Sequence, residues 1–108
     1  MAKWVDLGNA ADFPPGTQKS FRVEGVPVAI FNVAGRFYAI ADVCPHAGMP
    51  LGQGELCDKV ITCPFHGYSY NVDTGKNVDF PDQEPPVHKF PVQTSEAGVL
   101  QVNLKPGE

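Results

Sequence analysis

The sequence lacks the features that mark several large classes of protein. It has no long apolar run: its hydrophobic stretches are all shorter than ten residues, too short for a membrane-spanning helix. The start, Met1-Ala2-Lys3-Trp4, has no apolar segment behind its basic residue, so no secretory leader is expected. It has no basic cluster. Lys and Arg number 8 against 12 Asp and Glu, for a formal net charge of −4, and nothing is present to neutralise a run of phosphates. Cysteine is scarce, with an odd count of 3. That does not read as a disulfide framework, and thiols in a cytosolic chain more often serve metals or catalysis. Helical periodicity is missing beyond a turn or two. The expectation is a soluble cytoplasmic chain with neither nucleic acid nor membrane as partner.

What the sequence does have is turn chemistry and short β patterns. Gly and Pro number 11 each and the hydrophobic share is 43%, which suits a folded chain with many reversals. At 108 residues one domain, 1–108, is expected. Trp4 to Leu7 reads as a strand, and Asn9 to Asp12 as a helical turn stopped by Pro14-Pro15-Gly16. Lys19 to Val23 alternates, Val26 to Val33 is β-branched and aromatic, and Arg36 to Ala41 follows, with Glu24-Gly25 and Ala34-Gly35 as turns. Glu55 to Cys57 and Val60 to Thr62 flank Asp58-Lys59 as a hairpin. Tyr68 to Val72, Val87 to Thr94 and Val99 to Leu104 complete the strands. Such a pattern predicts an all-β antiparallel sandwich or barrel. The segment 42–77 is expected as an excursion from a basal body made of 1–41 and 78–108.

That excursion carries the chemistry. Cys44-Pro45-His46 and Cys63-Pro64-Phe65-His66 each supply one thiol and one imidazole, in loops punctuated by Pro and Gly, with sixteen residues between His46 and Cys63. Four ligands of these types in two loops are a metal-site signature. A tetrahedral zinc site needs only their convergence, although zinc fingers usually pair their cysteines in one knuckle. A two-iron cluster accounts better for the even split, since each loop then contributes to both irons.

The two boxes, with Pro45, Pro64 and Gly67, resemble those of the Rieske [2Fe–2S] family, and the likeness covers nearly the whole chain. It implies a β-body carrying a two-loop cluster-binding subdomain and one [2Fe–2S] cluster. Cys44 and Cys63 would ligate the inner iron, and His46 and His66 the outer, more exposed one. Neutral imidazoles in place of two thiolates make the cluster easier to reduce, at roughly −150 to +300 mV against about −400 mV for all-thiolate plant-type clusters. High-potential members tie their loops with a disulfide between two further cysteines. Met49 and Phe65 stand at those positions, so no such bond can form. Tyr68 stands where those members place a sulfur-bonding serine, and Tyr70 matches the family's tyrosine that donates to a cysteine ligand. One bond lost and one kept predicts a low-to-middle potential. Pro85 and Pro86 match a proline-rich loop that covers the cluster from a third side.

Other residues have plainer readings. Cys57 is expected as a buried or hairpin thiol without a role, and His88 as a strand residue rather than a fifth ligand. Met49, Pro50 and Leu51 are expected first as packing between the loops, and also as an apolar rim where a partner docks. Asp79, Asp82 and Glu84 are expected as a solvated face. The resemblance implies a one-electron carrier and no catalytic residues. The expected partners are a flavin-containing reductase as donor and an oxygenase or reductase as acceptor. The competing role is a small subunit of an NAD(P)H-dependent nitrite reductase-like enzyme, and the distant third is a zinc-binding structural module.

Overall fold

The computed structural model describes residues 4–43, 50–64 and 67–104. Among them the chain is all-β apart from two 3-10 turns, Ala10–Asp12 and Leu51–Gln53. In chain order the strands are β1 (Trp4–Asn9), β2 (Gln18–Val23), β3 (Val26–Val33), β4 (Arg36–Ala41), β5 (Glu55–Cys57), β6 (Val60–Thr62), β7 (Ser69–Asn71), β8 (Lys89–Phe90), β9 (Val92–Thr94) and β10 (Val99–Asn103). They form three antiparallel sheets ordered β1-β10-β9, β2-β3-β4-β8 and β5-β6-β7.

The turns form where the sequence supplies the residues for them. Glu24 and Gly25 sit at φ 51° and 84°, and Ala34 and Gly35 at 53° and 93°. Two consecutive positive φ values make the turn whose twist matches the flanking strands. Val23 therefore pairs with Val26, and Val33 with Arg36.

The β2-β3-β4-β8 sheet is the middle layer. Successive side chains of a strand point to opposite faces, and both faces are covered here. Val28, Ile30 and Ala39 join Phe13, Val23, Phe90, Leu100 and Val102 in one core. Ala29, Phe31 and Ile40 join Leu51, Ile61, Cys63, Tyr70, Val72 and Val87 in another. Burial on both faces is why the run from Val26 to Phe31 is apolar rather than alternating.

The expected single strand Val87 to Thr94 is divided. Lys89–Phe90 pairs with β4 in the middle sheet, and Val92–Thr94 pairs with β10 in the first sheet. Pro91 stands at the corner. It has no N–H for a ladder, and its carbonyl accepts from the Asn103 amide at 2.9 Å. This corner carries one segment from the second core, at Val87, to the first, at Phe90.

Candidate metal centre

The second expected ligand loop grows from the β6–β7 ladder. Thr62 pairs with Ser69, and their hydroxyls lie 2.9 Å apart. One step further, the Cys63 amide donates to the Tyr68 carbonyl at 2.7 Å, and the Gly67 amide donates back to the Cys63 carbonyl at 3.0 Å. Gly67 has φ 73°, a conformation that glycine adopts without steric cost. The loop therefore has a closed neck, with Cys63 at its base. The Cys63 side chain is 1% exposed and lies in the core with Leu51, Tyr70 and Val72.

The first loop is also tied at its base. Asp42, at the end of β4, is buried, and its Oδ1 accepts from the Gly52 amide at 2.6 Å. The Asp42 amide donates to the Pro27 carbonyl at 3.0 Å. Gln18 on β2 reaches across: its Nε2 donates to the carbonyls of Gly52 at 2.6 Å and Gly54 at 2.8 Å. The returning chain is thus fastened to β2 and to the end of β4, the strands on either side of β3. A Cβ at Gly52 would strike the Ser20 hydroxyl, and one at Gly54 would strike the Thr62 carbonyl. Both glycines are needed for close approach, and neither has a positive φ.

Of the residues expected at the site, Cys44, His46, Met49, Phe65 and His66 lie outside the described residues. The structure brings Cys63, Tyr70 and Leu51 into one core, with Tyr68 partly buried against it. Leu51 is fully buried, so it packs the loops and is no part of an exposed rim; Pro50 is half-buried. Pro85 and Pro86 are exposed, and they lead Val87 into the core that holds Cys63. Cys57 is a hairpin thiol but an exposed one. His88 is exposed, with its ring edge-on to Phe90 at 4.7 Å. Among the described residues no three His, Cys, Asp or Glu side chains converge on a metal position.

Asn77 gave no signal in the sequence. It pairs with Tyr70 across an isolated bridge. The flanking bonds, Asn71 amide to Lys76 carbonyl and Val78 amide to Ser69 carbonyl, make this the close, non-hydrogen-bonded type of pair. Its side chain is 1% exposed. Oδ1 accepts from the amides of Asp79 and Phe80 at 3.0 and 2.8 Å, and Nδ2 is buried with no partner among the described residues. A buried donor left alone costs about 1–3 kcal/mol.

These observations fit an iron–sulfur group. A thiol at the base of a closed, dry loop is a suitable soft ligand. An orphaned buried amide, on the same sheet face as the tyrosine next to that thiol, is a donor that a sulfur acceptor would satisfy.

Comparison with known proteins decides the family. The family model for the Rieske [2Fe–2S] domain matches residues 3–95. The chain belongs to the Rieske [2Fe–2S] family. Its cofactor is one [2Fe–2S] cluster, and its function is one-electron transfer. The chain is 37% identical over 106 residues to ferredoxin CarAc of Metapseudomonas resinovorans, covering 97% of this chain and 89% of that one. It is 40% identical over 96 residues to the 3-phenylpropionate/cinnamic acid dioxygenase ferredoxin subunit of Shigella flexneri, covering 87% of each. A solved complex of reduced oxygenase and oxidised ferredoxin in carbazole 1,9a-dioxygenase contains a chain with 38% identity and a TM-score of 0.83. The match spans 93% of this Rieske chain and 92% of that one. No helix among the described residues is long and apolar enough to cross a membrane.

Proposed function

We propose that this Rieske protein is the ferredoxin component of a dioxygenase-type oxygenase system. It takes single electrons from a flavin-containing reductase and delivers them to the oxygenase, in the cytoplasm. Cys44, His46, Cys63 and His66 hold the cluster, on a subdomain of about residues 42–77 set on a basal body of 1–41 and 78–108. The observation that carries this reading is the closed neck at Cys63, which buries the thiol at the base of its loop. Similarity to dioxygenase ferredoxins over most of the chain supports it.

When bound, the cluster supplies a reversible one-electron couple. The rest falls to the chain's own residues. Asp42 and Gln18 hold the 3-10 turn, Leu51–Gln53, that follows the first loop. The Cys63–Tyr68 neck fixes the second. The apolar core around Cys63 keeps water from the thiolate side.

The test is reconstitution with iron and sulfide, followed by electron paramagnetic resonance of the reduced protein. Mixed histidine and cysteine ligation is expected. Cys63→Ala should lose the cluster, whereas Cys57→Ala should keep it with an unchanged spectrum. Zinc without acid-labile sulfide in the purified protein would refute the assignment. Reduction by a flavin reductase and reoxidation by an oxygenase complete the test of its place in such a system.

A further inference from the structure

Residues 76–86 form a loop closed at its base, where the Val87 amide donates to the Gly75 carbonyl at 2.7 Å. Compact loops with their ends together are frequently functional. This one is built rigidly at its tip. Asn77 Oδ1 holds the amides of Asp79 and Phe80. The Phe80 carbonyl accepts from Gln83 at 3.2 Å and Glu84 at 3.0 Å. The Val78 amide donates to Ser69, so the loop runs along the open edge of β7, one strand away from the neck that holds Cys63.

The tip presents what a folded chain normally hides. Val78 is 46% exposed and Phe80 is 47% exposed; with Trp4 they are the large exposed apolar side chains among the described residues. Asp79 and Asp82, both exposed, flank them. From Asn77 to His88 the sequence carries Asp79, Asp82 and Glu84 and no Lys or Arg. An apolar pair flanked by two carboxylates is the composition of a docking surface, with anchors at the centre and steering charges beside them.

We propose that the 78–82 tip is the docking face for a redox protein that presents an apolar socket ringed by lysine or arginine. Val78 and Phe80 enter the socket, and Asp79 and Asp82 meet the ring. This rests on the electron-carrier reading. The pairing with β7 places the docked protein beside the second ligand loop, where a short transfer path is needed.

Mitochondrial cytochrome c is a suitable probe, because its exposed haem edge is surrounded by lysines. One electron passes from the reduced Rieske protein to the ferric haem iron, which becomes ferrous, with no proton or ligand exchanged. The rate is followed by stopped flow against ionic strength, using variants whose visible spectra show an intact cluster. Wild type should slow steeply as salt rises. Asp79→Lys/Asp82→Lys should slow transfer about tenfold or more at low salt and flatten that dependence, as expected for electrostatic steering. Asp12→Lys/Glu96→Lys makes the same change in net charge at the first 3-10 turn and the β9–β10 turn, and it should keep the wild-type slope. Phe80→Ser should slow transfer several-fold even at high salt, where charge is screened. Equal slowing by the two charge-reversed doubles would overturn the proposal, because net charge alone would then explain it. Wild-type rate in Phe80→Ser at high salt would also overturn it. Failure of the wild type to reduce cytochrome c at all would instead sink the carrier reading, and this inference with it.

Discussion

Gln18 shows how a residue far from the ligands can hold the metal centre. It lies on β2, at the edge of the middle sheet, and one side-chain nitrogen bonds two carbonyls 34 and 36 positions away. Removing it leaves both Gly52 and Gly54 without that donor. A hydrogen bond contributes about 0.5–1.5 kcal/mol net, so Gln18→Ala should lower stability by about 1–3 kcal/mol. Urea denaturation of the holoprotein, followed by far-ultraviolet circular dichroism, measures this. The freed 3-10 turn also leads out of the first ligand loop, so bleaching of the cluster by an iron chelator should be faster. Gln93→Ala is the contrast. Gln93 is exposed and so is its bond to Gln101, and the loss should stay below about 0.5 kcal/mol with no change in bleaching. Equal bleaching in both variants would remove Gln18 from the site. Nothing in the sequence marks Gln18 for this task, because its partners are backbone atoms reached only in the folded chain. Pro and Gly were visible as punctuation of the loops, but the reason for Gly52 and Gly54 was not. They admit Ser20 and Thr62 at distances that a Cβ forbids.

At the scale of elements, legibility followed locality. The β2–β3 and β3–β4 hairpins could be placed from sequence because the turn residues and both strands adjoin. The β5–β6 hairpin at Asp58 was equally plain. The segment 87–94 was not, because it reads as one strand-forming stretch while its two halves choose partners in different sheets. Those partners, β4 and β10, are chosen by layer packing that no local pattern records. The Asn77–Tyr70 bridge was hidden for the same reason, lying in a stretch whose composition reads as irregular. The β3–β4 turn also carries a testable strain. Ala34 sits at φ 53° and is exposed, where an L-residue is disfavoured by about 1–2 kcal/mol. Glycine removes that cost and adds about 0.5–1 kcal/mol of chain entropy to be lost on folding. Ala34→Gly should therefore raise stability by about 0.5 kcal/mol, read as a small increase in the thermal midpoint. A lower midpoint would show that the turn is not strained at this position.

The whole molecule is a middle sheet whose two faces serve different purposes. Ile30 and Phe31 are adjacent on β3 and both fully buried, yet they point into separate cores. Ile30 packs with Phe13, Leu100 and Val102. Phe31 packs in the core of Cys63, Tyr70 and Leu51. Stability should depend on both faces, and the metal centre on one. Ile30→Val deletes a methylene and should cost about 0.5–1.5 kcal/mol. Phe31→Leu reshapes its site and should cost a similar or somewhat larger amount, about 1–3 kcal/mol. The two variants should separate in a second measurement. The reduction potential and electron paramagnetic resonance spectrum should be unchanged in Ile30→Val. They should shift in Phe31→Leu, because loosening that core alters the packing and dryness around the buried thiolate, which tune a cluster's potential. If Ile30→Val moved the potential as far as Phe31→Leu does, the two cores would be coupled through the sheet. The middle layer would then transmit strain rather than partition it. If neither variant moved it, the ligand loops would be set by their own necks, at Asp42 and Cys63, with the core behind them serving stability alone.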